Sequence, residues 1–162
     1  MKSNFAIAFG IGIACIAAIV LGIFYMQRGS HMELPGKVLK VRTAPLDENS
    51  SVAVLDFRVT NPSDVLFVVR TVTLELEDPD GAIHPGQVAA ETDAKKLFDA
   101  VPLLGQKFND TLLMRDKIPA HNTQDRMVAA RFEAPVARLD ARKRFVIRVE
   151  EVDGKEFEIS ER

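Results

Sequence analysis

Apolar residues are laid along this chain in two distinct ways. Residues 5–26 read FAIAFGIGIACIAAIVLGIFYM, an unbroken run of 22 uncharged residues. Beyond Glu33, the first acidic residue, apolar and polar side chains alternate in short stretches divided by turn-forming residues. The first pattern predicts a membrane-spanning helix. The second predicts half-buried β-strands, whose side chains alternate between two faces.

At about 1.5 Å rise per residue the apolar run makes a helix of ~33 Å, enough for the ~30 Å hydrocarbon layer. A cleaved signal peptide should have a shorter apolar stretch and a small-x-small cleavage site. Here the run ends in Phe24-Tyr25-Met26-Gln27-Arg28, bulky and then charged. Gly12-Ile13-Ala14-Cys15 faintly resembles a lipoprotein cleavage box, but the apolar stretch continues well past Cys15. An uncleaved anchor over residues 1–28, a linker over 29–36 and a β-domain over 37–162 are therefore expected. Within the anchor, Ala6, Gly10, Ala14, Ala18 and Gly22 recur every fourth residue. Small residues so spaced let another helix approach closely, which points to transmembrane helices of a larger complex as partners alongside the lipid bilayer. Ordinary lipid-facing composition is the plainer explanation.

Arg28, Lys37, Lys40 and Arg42 follow the run and only Lys2 precedes it, which by charge alone keeps the domain cytoplasmic. A four-residue tail ahead of an apolar helix is instead the form of a signal anchor. On that ground the soluble domain is expected to be extracytoplasmic, in the periplasm, with the cytoplasmic face as the alternative.

In the domain, Ala53, Leu55, Phe57 and Val59 alternate with Asp56 and Arg58, predicting a strand over 52–60 with those two charges outward. Val72, Leu74 and Leu76 predict another over 71–78, while Phe67 and Val69 sit on the opposite parity, predicting a bulge near Arg70. Similar alternation runs through residues 128–133 and 144–150, and further strands are expected at 37–43, 111–115 and 155–159. Asn61-Pro62-Ser63-Asp64 and Asp78-Pro79-Asp80-Gly81 are turns, and Asp153-Gly154 predicts a two-residue hairpin. About seven short strands with one-sided patterning suggest a mainly β fold of two packed antiparallel sheets.

Residues 87–107 break the pattern. Ala89 to Phe98 reads as a short helix stopped by Pro102, carrying apolar Leu97, Phe98, Val101, Leu103 and Leu104. This insertion either caps one end of the sheets or presents those five residues to a partner or ligand.

Composition narrows the chemistry. A net charge of −2, with Lys and Arg mostly beside Asp or Glu, argues against nucleic acid, which asks for a basic face. The sole cysteine, Cys15, lies in the apolar run, so no disulfide is expected within the domain. His31, His84 and His121 have no second His or Cys at zinc-ligand spacing, and Asp78-x-Asp80-Gly81 lacks the other ligands of a calcium loop. No phosphate loop, nucleophile elbow or Cys–His pair is present, and the carboxylates are expected to lie on solvated strand faces. No catalysis, metal or cofactor is expected.

The segment VLDFRVTNPSDVLFVVRTVTLELEDPDG and the later IPAHNTQDRMVAARFEAP carry strands ending in Thr60-Asn61-Pro62 and Asp80-Gly81. This layout resembles immunoglobulin-like β-sandwiches of the water-stress and hypersensitive-response domain of late-embryogenesis-abundant proteins, and similar membrane-anchored bacterial domains. The resemblance covers about half of the chain, and the insertion departs from it. It implies an immunoglobulin-like sandwich with a binding or structural role, and transfers no active-site residue. The expected function is a non-enzymatic, membrane-anchored accessory subunit docking onto a larger membrane complex. The alternatives are a tethered module for a lipid, glycan or peptide ligand, and a stress-protective surface domain.

Overall fold

The computed structural model describes residues 12–13, 16–17 and 34–161, and the chain divides into two units, Met1–Glu33 and Leu34–Arg162. Ala6, Gly10, Ala14, Ala18 and Gly22 lie outside the described residues. Among the described residues no helix is long and apolar enough to cross a membrane.

The second unit is mainly antiparallel β. Its strands are β1 (Gly36–Pro45), β2 (Ser51–Thr60), β3 (Phe67–Glu77), β4 (Ile83–Val88), β5 (Lys117–Ile118), β6 (Thr123–Phe132), β7 (Arg144–Glu151) and β8 (Glu156–Ser160). Two short helices, α1 (Glu91–Ala100) and α2 (Val136–Asp140), and a 3₁₀ turn at Pro102–Leu104 complete it. Hydrogen bonding follows the order β1-β2-β6-β4-β3-β7-β8, with β5 on β3, curling into a half-barrel. The curl brings β1 back towards β8: a Cβ on Gly36 would collide with the Ile159 side chain.

The main core draws on β2, β3, β6 and β7. Leu55, Phe57, Leu74, Leu76, Val128, Phe132, Phe145 and Ile147 are all buried, as the alternation predicts. The register of β3 against β7 shifts between Val69 and Thr71, where the change of parity places a bulge. Asn61 is buried in its turn, with Nδ2 donating to Val65 O at 2.8 Å and Ile118 O at 2.9 Å.

Several expectations need correction. No strand forms over 111–115: Thr111 makes one parallel bridge to Met127, and Arg115 takes a left-handed φ of 72° that ends any extended run. The Val69 N–H bonds instead to Asp116 O, and the short β5 follows. The hairpin after β7 has three residues rather than two, because Glu151 N bonds Lys155 O and Gly154 sits at φ 82°, closing back on Glu151 O. The strand β4 escaped the pattern because His84-Pro85-Gly86 reads as a break. It runs between halves, pairing with β3 through Gly86 and with β6 from Gln87. Gly86 makes that crossing possible, since a Cβ there would meet Phe132 Cζ at 2.6 Å.

Asp56 does not face water; residues 51–57 are all buried, so both faces of β2 are covered. Glu77, Asp78 and Glu151 are buried too, against the expectation of solvated carboxylates.

Candidate interaction surface

What covers the outer face of β2 is the insertion. Helix α1 has no side-chain N-cap and no basic residue in its last turn, though Glu91 and Asp93 suit the positive end of its dipole. A ten-residue helix so weakly capped depends on packing. It packs through Ala94, and the following turn through Leu104, onto Ala44, Val52, Val54, Met127 and Ala129 from β1, β2 and β6. Ala89, Leu97, Phe98 and Val101 are partly buried around this second core. The insertion therefore lies across a sheet face rather than over one end.

Arg42 fastens it from beneath. The guanidinium donates through Nη1 to Leu104 O at 2.8 Å and Gln106 O at 2.7 Å, and through Nη2 to Asp56 Oδ2 at 2.6 Å. Asn109 Nδ2 donates to the other Asp56 oxygen at 2.9 Å. The same guanidinium lies 5.0 Å from the Phe98 ring centre and 5.6 Å from that of Phe108, within cation–π range. Charge-assisted bonds to two backbone carbonyls and a carboxylate offset the desolvation of the buried guanidinium; only Nε is left without a partner.

A second tie is Glu91. Burial alone would raise its carboxyl pKa, but hydrogen bonds from Lys107 and Thr111 prevail and hold it at about 2. Lys107 Nζ lies 2.8 Å from one Glu91 oxygen, and the Thr111 N–H donates to the other at 3.0 Å.

Of the five apolar residues singled out in the insertion, then, Leu104 is interior, while Leu97, Phe98 and Val101 are half-buried. Leu103 is 77% exposed. Phe108, one residue past the insertion's expected end, is 62% exposed, and Lys40 Nζ lies 5.3 Å from its ring centre. Sequence reasoning missed Phe108 and Arg42. Arg42 read as one of several cations after the apolar run, and only its shared parity with Ala44 hints that it faces a covered surface.

Two clefts adjoin these elements. One of about 250 Å³ lies between α1, β4 and β6, lined by Leu46, Val52, Val88, Leu97, Ala130 and Arg131 among others. A wider one of about 550 Å³ separates β1 from the end of β8 and is bordered by Lys37, Lys40, Arg142 and Glu161.

A further group of ion pairs gathers at the β3–β4 turn. Asp78 meets Arg138 at 2.6 Å and His84 at 3.1 Å, and Glu77 meets Lys143 at 2.6 Å and also Arg144. The hydrogen bond from Arg138 holds the Asp78 carboxyl below its ordinary pKa, and those from Lys143 and Arg144 do the same for Glu77. With a guanidinium already on Asp78, this turn is poorly suited to a cation. No group of three metal-ligating side chains converges among the described residues.

No protein-family model matches the chain, and neither does any curated protein. Among solved structures it is similar to the archaellum periplasmic stator protein FlaG from Sulfolobus acidocaldarius, at 10% identity over 79% of this chain and 99% of that one. The TM-score is 0.37, too low a likeness to carry an argument.

Proposed function

We propose that this chain is a non-catalytic, membrane-anchored accessory subunit of a larger membrane assembly. Residues 5–26 span the bilayer, with Ala6, Gly10, Ala14, Ala18 and Gly22 turned to a neighbouring helix. The domain is extracytoplasmic and presents its insertion to partners. The supporting observation is that Leu103 and Phe108 stand exposed on a segment whose backbone is held from below by Arg42. A contact loop already ordered loses little conformational entropy on binding, and an aromatic anchor suits an interface centre. That Asp56, Glu77 and Asp78 are each neutralised by a cation supports a structural use of their charge.

The strand order supports an immunoglobulin-like reading of the fold. The group β1-β2-β6 lies on one side, β3-β7-β8 on the other, and β4 links them, as in a Greek key.

Gentle detergent extraction of the full chain, followed by identification of co-purifying proteins, tests this function. Leu103→Asp with Phe108→Asp, and separately Gly10→Leu with Ala14→Leu and Ala18→Leu, should each deplete the same partner. Unchanged co-purification with both variants would overturn the reading.

The cleft of about 250 Å³ beside α1 favours a second reading, a tethered module that binds an apolar ligand such as a lipid tail. Leu97→Asp should then abolish lipid capture and leave membrane association intact.

A further inference from the structure

We infer that the open edge of β1 takes an added strand, a short extended segment of another protein with carboxylates on alternate residues. The site is separate from Leu103 and Phe108, so it stands or falls independently of the function proposed above.

This edge is free over a bounded stretch. Among the described residues β1 pairs with β2 alone, and β8 ends the strand order on the far side. β8 has five residues against ten in β1, and it comes against β1 at Gly36, where Ile159 leaves no room for a side chain. Further along, Thr43 Oγ1 donates to Asp140 Oδ1 of α2 at 2.8 Å. Between these contacts residues 37–41 border the cleft of about 550 Å³. Such a stretch of strand runs about 17 Å. The amide and carbonyl groups it turns outward are those that strand addition uses.

A bulge arranges the charges here. The register of β1 against β2 shifts between Val38 and Lys40, so that Lys37 lies opposite Arg58 and Lys40 opposite Asp56. Residues three apart on a regular strand face opposite ways. The extra residue, Leu39, returns Lys37 and Lys40 to one face. A strand laid beside them meets that pair with its own alternate residues, about 6.6 Å apart.

Both lysines are left uncompensated. Arg58, opposite Lys37, is itself held by Asp125 at 2.7 Å, and Asp56, opposite Lys40, is taken by Arg42 at 2.6 Å and Asn109 at 2.9 Å. Glu161 borders the cleft, but its two oxygens accept from Arg142 at 2.8 and 2.7 Å. Among the described residues neither lysine meets a carboxylate, and Lys40 has the Phe108 ring 5.3 Å away. Lysines and bulges on an edge keep strands from pairing indiscriminately. The same two charges repel a basic strand and attract one whose glutamates match their spacing, which makes the edge selective.

The test uses the full chain in detergent micelles and fluorescein-labelled peptides, read by anisotropy. Thr-Val-Glu-Val-Glu-Val-Thr should bind about tenfold more tightly than Thr-Glu-Val-Val-Glu-Val-Thr, which has the same composition and the wrong spacing. Methylating the backbone nitrogens of either the two Glu or the three Val blocks one strand edge at a time. One of these two peptides should lose binding and the other keep it. Lys37→Glu with Lys40→Glu should reverse the preference towards Thr-Val-Lys-Val-Lys-Val-Thr, a gain of binding that an unfolded variant would not show. Equal affinity for both spacings, or for both methylated peptides, reduces the site to diffuse charge and overturns the inference. So does an absence of binding up to about 1 mM peptide, the weakest affinity such an addition would use. Sedimentation of the chain alone covers the remaining occupant: self-association that the double substitution abolishes assigns the edge to a second copy and likewise overturns it.

Discussion

Arg42 and Asp56 meet at 2.6 Å beneath the insertion, on neighbouring strands, with both side chains almost wholly buried. Breaking a buried pair on one side leaves the other charge without compensation. Asp56→Ala and Arg42→Met should therefore each lower the unfolding free energy by about 3–5 kcal/mol. Denaturant titration of each variant checks this, and a loss below about 1 kcal/mol in both would show that the pair does not hold the insertion down.

Leu103 and Leu104 are adjacent in sequence and opposite in burial. Leu104→Ala should cost about 2–5 kcal/mol by opening a cavity over Val52 and Val54. Leu103→Ala should change stability by no more than about 0.5 kcal/mol. Thermal melts of the two variants side by side decide the matter; equal losses would contradict the packing described.

Gly86 marks the point where β4 passes over Phe132 and Ala130, and an added methyl would stand 2.6 Å and 2.9 Å from them. Gly86→Ala should destabilise by about 1–3 kcal/mol through overpacking. Gly81→Ala meets no neighbouring atom but carries a left-handed φ of 87°, so its cost should come from backbone strain, about 1 kcal/mol. Pairing Gly86→Ala with Phe132→Leu should recover part of the first loss and none of the second.

Two glutamates shift in opposite directions, which gives opposite pH signatures. Glu91 is held at about 2, below its ordinary 4.5. Its stabilising contribution is therefore full above the unfolded value and disappears as pH falls from about 5 towards 2. Glu151 is raised, first by burial and then by the nearby Asp153. Its ionisation costs stability as pH rises through the raised value, so the penalty is present at neutral pH. Glu91→Gln should flatten the acid limb of the stability curve, and Glu151→Gln should stabilise the protein at pH 7. Stability measured from pH 2 to 8 for both variants tests the signs; an unchanged acid limb in Glu91→Gln would refute the first.

Much of this architecture is written in local pattern. The alternation through Leu55, Phe57, Leu74 and Leu76 finds the main core, and the parity change at Arg70 finds the bulge. The turns at Asn61-Pro62 and Asp78–Gly81 follow from residues that bond their own backbone or accept a positive φ. The uncharged run over 5–26 and the helix stopped before Pro102 are equally plain in the one-dimensional text. Alternation, however, records only which residues share a face. It cannot tell whether distant chain comes to cover that face. Only the folded arrangement placed the insertion over β2, turning Asp56 from a solvated carboxylate into the buried partner of Arg42. It also sent β4 across between the two halves. Each of these rests on contact between residues tens of positions apart, and such contacts are set by packing, about which neighbouring letters are silent.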